Sequence, residues 1–150
     1  MKAIIKTNKG DMTAELYSEA TPIAVSNFVK LAKDGFYKDL KWHRVIPNFM
    51  IQGGCPNSKE GANGMPGTGG PGYQIDCETD AEQQHHEKGV LSMAHAGKNT
   101  GGSQFFVCHS RDNTAHLDGA HTCFGKVVEG IDIVDDIAEG DSIIDIEIID

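Results

Sequence analysis

No apolar run in this chain approaches the roughly 20 residues needed to cross a bilayer, so no membrane helix is expected. Basic residues are in short supply: 13 Lys and Arg stand against 22 Asp and Glu, a net charge of −9. Such a surface argues against nucleic acid or an anionic membrane as the main partner. The four cysteines, Cys55, Cys77, Cys108 and Cys123, include no pair at the short spacing of a zinc knuckle or redox motif. No Lys-Ser or Lys-Thr pair follows the glycine-rich stretch into a helix, which excludes a phosphate cradle. There is no internal repeat. The opening residues, Met1 to Lys6, read as a strand and not as a charged head before an apolar segment. The expectation is therefore no secretory signal and a cytoplasmic protein. Free thiols fit that compartment. Cys108 and Cys123 read as small core residues. Cys55 and Cys77 bracket a glycine-rich loop, and an oxidation-sensitive pair between them stays open.

What is there is enough for one domain spanning 1–150, with a core that needs no disulfide or metal staple. Lys2–Thr7 and Asp11–Leu16 flank Asn8-Lys9-Gly10 and read as an opening hairpin. Thr21 and Pro22 read as N-cap and first residue of a helix that Gly35 ends. Further strands are expected at Trp42–Ile46, Gly89–Ala94, Gln104–Cys108, Thr122–Val128 and Ile143–Ile149. Ile131, Val134 and Ile137 suggest a short helix ended by Gly140. From Gly53 to Gly72 the chain lacks apolar periodicity, and a loop that long in a compact domain is usually functional or disordered. Many short strands, two helices and no βαβ alternation favour a mainly β protein, a closed or nearly closed antiparallel sheet with helices over its ends.

The chemistry concentrates in Trp42-His43-Arg44-Val45-Ile46-Pro47-Asn48-Phe49-Met50-Ile51-Gln52-Gly53-Gly54. Strand alternation sends Arg44 and Ile46 to one face. Phe49, Met50 and Gln52 follow closely enough to share it. A fixed cationic donor beside an apolar slot suits a neutral ligand with a polarisable amide. Ser103-Gln104-Phe105-Phe106-Val107 adds a second amide and aromatic. Together they suggest a groove for an extended peptide.

Phe36-Tyr37, His43 to Pro47, Phe49 to Gly54, Gly67-Thr68-Gly69-Gly70, Leu91 to Ala94, Gly102 to Phe106, Leu117-Asp118-Gly119 and Phe124 to Val127 occur in the order seen in cyclophilins. The whole chain resembles a single-domain, prokaryotic-like cyclophilin-type peptidyl-prolyl cis-trans isomerase. The resemblance implies a closed eight-stranded antiparallel barrel capped by two helices, with a groove outside it. It implies an enzyme that speeds X-Pro rotation in peptides and proteins, as a folding catalyst or chaperone, with no covalent intermediate. Arg44 would be the donor to the twisted amide, and Gln52 would bind substrate and orient Arg44. Phe49, Met50, Phe106 and Leu117 would form the proline pocket, bordered by His121. The backbone of His95, with Ala94 and Ala96, would pair with the peptide. Gln104 would lie beside the residue before proline, and Gly67 and Thr68 would edge the next subsite.

Two departures stand out. His95 occupies a position where many members have Asn, a mild change if only its backbone meets substrate. His116 stands about where many members carry a Trp that contacts cyclosporin A, so cyclosporin affinity is expected to be reduced. Other readings are weaker. Arg44 could simply pair with an acid. Ser103, His109 and Asp112 invite a hydrolase triad, but no nucleophile-elbow motif surrounds Ser103. His85-His86 between Glu82 and Glu87, and His116 and His121 with Cys123, lack zinc-site spacing. They read as an exposed polar loop and as unlinked histidines, so no metal and no cofactor are expected. A proline-peptide binding module is the competing function class, and a monomer is the expected state.

Overall fold

The computed structural model describes residues 1–81 and 84–150. Nine strands and two helices follow in the order β1 (Lys2–Thr7), β2 (Gly10–Leu16), α1 (Pro22–Lys33), β3 (Leu40–Lys41), β4 (Arg44–Ile46), β5 (Met50–Gly53), β6 (Val90–Met93), β7 (Phe105–Cys108), β8 (Cys123–Glu129), α2 (Asp132–Asp136) and β9 (Ser142–Ile149). Single 3₁₀ turns lie at Pro56–Ser58 and Ala115–Leu117. The strands form one sheet in the order β3-β9-β1-β2-β8-β6-β7-β5-β4, and every pairing is antiparallel.

This order forces the sheet to curl. Its edge strands β3 and β4 are separated in the chain only by Trp42 and His43. Three residue steps span at most about 11 Å, whereas a flat nine-stranded sheet would be about 40 Å wide. Where the resemblance implies eight strands in a closed barrel, the described residues form a strongly curled antiparallel sheet of nine. Among the described residues no ladder joins β3 to β4. The reason is that one segment supplies both edges. Trp42 N–H still donates to the Asp141 carbonyl (2.8 Å), and its own carbonyl accepts from Gly140 N–H (2.9 Å). Two residues later Arg44 pairs with Gln52 instead. The expected strand Trp42–Ile46 is therefore shortened to Arg44–Ile46.

The core fills the inside of the curl. Phe28 of α1 packs edge-on against Phe105 of β7 (5.5 Å, 89°), and Tyr37, Trp42 and Phe124 complete the aromatic cluster. Ala24, Val25, Phe28, Leu31 and Ala32 form the buried stripe of α1 at helical spacing. Thr21 does not cap this helix: its hydroxyl donates to the Tyr17 carbonyl (3.0 Å). The carboxylate of Glu78 caps instead, accepting from Ile23 N–H (3.1 Å) and Ala24 N–H (2.8 Å). An anion there suits the positive end of the helix. The last helix is shorter than its apolar spacing suggests, because Ile137 turns extended before Gly140. In β9 a bulge opposite Lys6 and Thr7 breaks strict alternation, so Ile143 and Ile146 are the buried pair.

Candidate active site

The outer face of β4, β5, β7 and β6 carries a second, smaller apolar cluster. Arg44 lies opposite Gln52, Gln52 opposite Phe106, and Phe106 opposite Ser92. Directly opposed residues share a face, so this row runs across four strands. The neighbouring row is Ile46, Met50 and Cys108. Met50, Phe106 and Cys108 belong to the cluster, with Phe49, Ala94 and Leu117 packed against it. The hairpin between β4 and β5 turns at Asn48, whose φ of 64° is left-handed. His109 Nδ1 accepts from Asn48 N–H (3.0 Å), and Asn113 donates to the Asn48 carbonyl (2.8 Å). Phe49 is thereby held over the cluster.

These residues line a groove of about 880 Å³. It is bordered by Arg44, Phe49, Met50, Gln52, Gly67, Thr68, Ala94, His95, Ala96, Gln104, Phe106, Leu117 and His121. Every site residue expected from the sequence is therefore brought together except His116. That residue is exposed and stacks on Phe49 (5.9 Å, 26°) without lining the groove. Tyr73, Gly69 to Gly72 and Thr100 extend the groove beyond the expected set.

A chain of amides crosses the groove wall. Arg44 Nη1 lies 3.5 Å from Gln52 Oε1, a long contact that leaves most guanidinium donors free. Gln52 Nε2 donates to Gln104 Oε1 (3.1 Å). Gln104 Nε2 donates to the carbonyls of Gly67 (3.0 Å) and Gly69 (2.9 Å). The glycine-rich loop is thus tied to the strands beside Arg44. Gly54, just past β5, approaches Ser103 so closely that a Cβ would sit 2.5 Å from its carbonyl oxygen. Among the described residues no carboxylate forms an ion pair with Arg44. The reading of Arg44 as an ordinary ion-pair residue is set aside on that ground.

His86 is fully buried, which corrects its reading as part of an exposed loop; only His85 is exposed, and Glu82 lies outside the described residues. Asp118 Oδ1 accepts from His86 backbone N–H (2.7 Å) and contacts ring Nδ1 (2.8 Å), while Nε2 meets Ser92 Oγ (2.7 Å). The His86 ring lies parallel to Phe106 behind the groove (5.9 Å, 13°). Burial pushes the His86 pKa below the usual histidine value, against the pull of Asp118. Burial also opposes ionisation of Asp118, but hydrogen bonds from His86 and Arg111 outweigh it and hold this carboxyl well below the usual range. No local sequence signal marks this Asp118–His86–Ser92 set, because Asp118 reaches His86 from 32 residues along the chain.

The other thiols and hydroxyls are engaged elsewhere. All four cysteines are free. Cys55 Sγ accepts from Gly67 and Gly69 N–H (3.2 Å each), whereas Cys77 Sγ accepts from Asn99 N–H (3.3 Å). Burial pushes the Cys108 thiol up to about 12, consistent with an unreactive core residue. Ser103 donates its hydroxyl to the Gly54 carbonyl (2.7 Å) and His109 serves the Asn48 turn, so neither takes part in a hydrolase triad. No helix among the described residues is long and apolar enough to cross a membrane.

A curled antiparallel sheet with an external groove of one free guanidinium, interleaved amides and apolar walls is the arrangement of a cyclophilin-like isomerase. Comparison with known proteins agrees. The family model for the cyclophilin-type peptidyl-prolyl cis-trans isomerases matches residues 2–148. Peptidyl-prolyl cis-trans isomerase B of Bacillus subtilis is 54% identical over 127 residues, covering 85% of this chain and 82% of that protein. A peptidyl-prolyl cis-trans isomerase of Synechococcus elongatus is 48% identical over 150 residues, covering 99% and 96%. Among solved structures, a Cryptosporidium parvum cyclophilin-type isomerase crystallised in the presence of the dipeptide Ala-Pro superposes with a TM-score of 0.87 at 32% identity, covering 100% of this chain and 99% of that one. The chain belongs to the cyclophilin-type peptidyl-prolyl cis-trans isomerase family.

Proposed function

We propose that this protein, a single isomerase domain over 1–150, accelerates X-Pro rotation in folding and folded polypeptides by stabilising the twisted amide with Arg44. The observation that carries the reading is the strand register that sets Arg44, Gln52 and Phe106 side by side on one face. An X-Pro amide resists rotation by about 20 kcal/mol because its nitrogen lone pair is delocalised. Twisting localises that pair on nitrogen. A donor held there favours the twisted form over both planar forms, which is all that catalysis requires. Phe49, Met50, Phe106 and Leu117 supply apolar walls to hold the ring, while the preceding carbonyl swings. Gln52 orients Arg44. Ala94, His95 and Ala96 offer backbone to an extended peptide, Gln104 flanks the residue before proline, and Gly67 and Thr68 edge the next subsite. No step needs a cofactor.

The sheet, read this way, acts as a barrel-like support that keeps the groove rigid. A monomeric cytoplasmic folding catalyst fits the acidic surface and the bacterial relatives. The deciding experiment is exchange spectroscopy on an Ala-Pro peptide with catalytic amounts of protein. Accelerated cis–trans exchange is expected. Peptide binding without acceleration would overturn the enzyme reading in favour of a binding module.

Cyclosporin A is expected to inhibit more weakly than it inhibits a Trp-bearing relative, because His116 stacks on Phe49 and leaves that rim without an indole. An inhibition titration checks this, and nanomolar inhibition would refute it.

A further inference from the structure

Two imidazoles lie face to face at the end of the groove. The rings of His95 and His121 are 4.0 Å apart and within 8° of parallel. Each is tied to the other's segment. His95 Nε2 meets the Ala120 carbonyl (2.8 Å), and His121 Nδ1 meets the Met93 carbonyl (2.8 Å). A carbonyl can only accept, so these contacts fix the proton on Nε2 of His95 and on Nδ1 of His121. His95 Nδ1 is then a lone pair, and it accepts from Gly97 N–H (3.3 Å). Both ring nitrogens of His95 are occupied in the neutral state. His121 in turn stands edge-on to Phe106 (5.6 Å, 79°).

We propose that His95 is a positioning residue that acts through its side chain: it braces His121, and with it the end wall of the proline pocket, in an interlock that needs both rings neutral. This rests on the isomerase reading above. The structure gives the imidazole work that a backbone contact alone would not.

Acid undoes the interlock in two ways. A proton on His95 Nδ1 removes the acceptor of Gly97 N–H. A second charge on His121 would face the first across the stack. The other titratable and charged groups around the pair are His86, from the loop before β6, His116, from the 3₁₀ turn at Ala115–Leu117, and Asp118 beyond His86. Burial, and then the charges of His95, His86 and His116, hold the His121 pKa below the usual value, partly offset by the Met93 carbonyl.

The test is His95→Asn, measured two ways. If the wall serves planar and twisted substrate equally, its loosening removes uniform binding: KM for an Ala-Pro peptide rises about fivefold and kcat stays within about twofold. In an NMR pH titration, His121 of the variant takes up its proton at higher pH than in wild type, since one of the imidazoles that disfavour its charged form has been removed. A variant with unchanged KM and an unchanged His121 titration would overturn the interlock. An inactive wild type would instead count against the isomerase reading, and the His121 titration would still decide the interlock by itself.

Discussion

Arg44→Ala lowers kcat and kcat/KM for a prolyl peptide together, by about a hundredfold or more, the scale of losing one preorganised transition-state donor. The fall is in turnover because the planar amide nitrogen offers no lone pair, so the guanidinium gains its partner only as the bond twists. With the apolar walls proposed to hold the ring, peptide affinity is expected to change by no more than about threefold. Arg44→Lys keeps the charge but loses the planar fork, and it recovers only part of the activity. So strong an effect is expected because no carboxylate among the described residues pairs with Arg44 and its contact to Gln52 is long. A protease-coupled isomerisation assay on the three proteins, with binding measured separately, decides the matter. Equal turnover in wild type and Arg44→Ala would remove Arg44 from the mechanism.

That prediction could be framed from sequence because Arg44, Phe49, Met50 and Gln52 lie within nine positions: alternation puts Arg44, Met50 and Gln52 on one face of a hairpin, and the turn between its strands brings Phe49 beside them. The opening hairpin was legible for the same reason: alternation on both sides of a glycine turn fixes it, and β1 and β2 pair from Lys2 with Glu15 to Thr7 with Gly10. What stayed hidden depends on partners far along the chain. Glu78 caps α1 from 55 residues away, while Thr21, with the composition of a cap, turns its hydroxyl elsewhere. His86 sits among polar neighbours that suggest an exposed loop, yet it is buried because Asp118 and Ser92 meet both ring nitrogens. The His95–His121 stack joins the segment after β6 to the segment before β8, and neither segment carries a pattern pointing to the other. The sequence reading began a strand at Trp42, whereas Trp42 and His43 lie between β3 and β4, the two edges of the sheet.

Trp42→Ala lowers stability by about 3–5 kcal/mol, the usual cost of emptying a large aromatic site, and the Tm of a chain this size by about 10 °C or more. Trp42 is fully buried at the point where the sheet curls back on itself. Its ring meets Phe105 of β7 (5.7 Å, 79°) and fills the space that a Cβ on Gly53 would need, at 3.0 Å from its Cε3. Both contacts lie on strands that carry the groove. Losing the ring therefore loosens β5 beneath Gln52, and activity falls along with stability. Trp42→Phe separates volume from polarity. The indole Nε1 has no hydrogen-bond partner among the described residues. An orphaned buried donor costs about 1–3 kcal/mol. Removing it offsets part of the smaller cavity, so Trp42→Phe loses no more than about 2 kcal/mol. Thermal and urea unfolding of both variants, with isomerisation rates measured well below Tm, test the argument. If the two substitutions destabilise equally, the indole N–H has a stabilising partner, and the curl is held at this point by more than apolar volume.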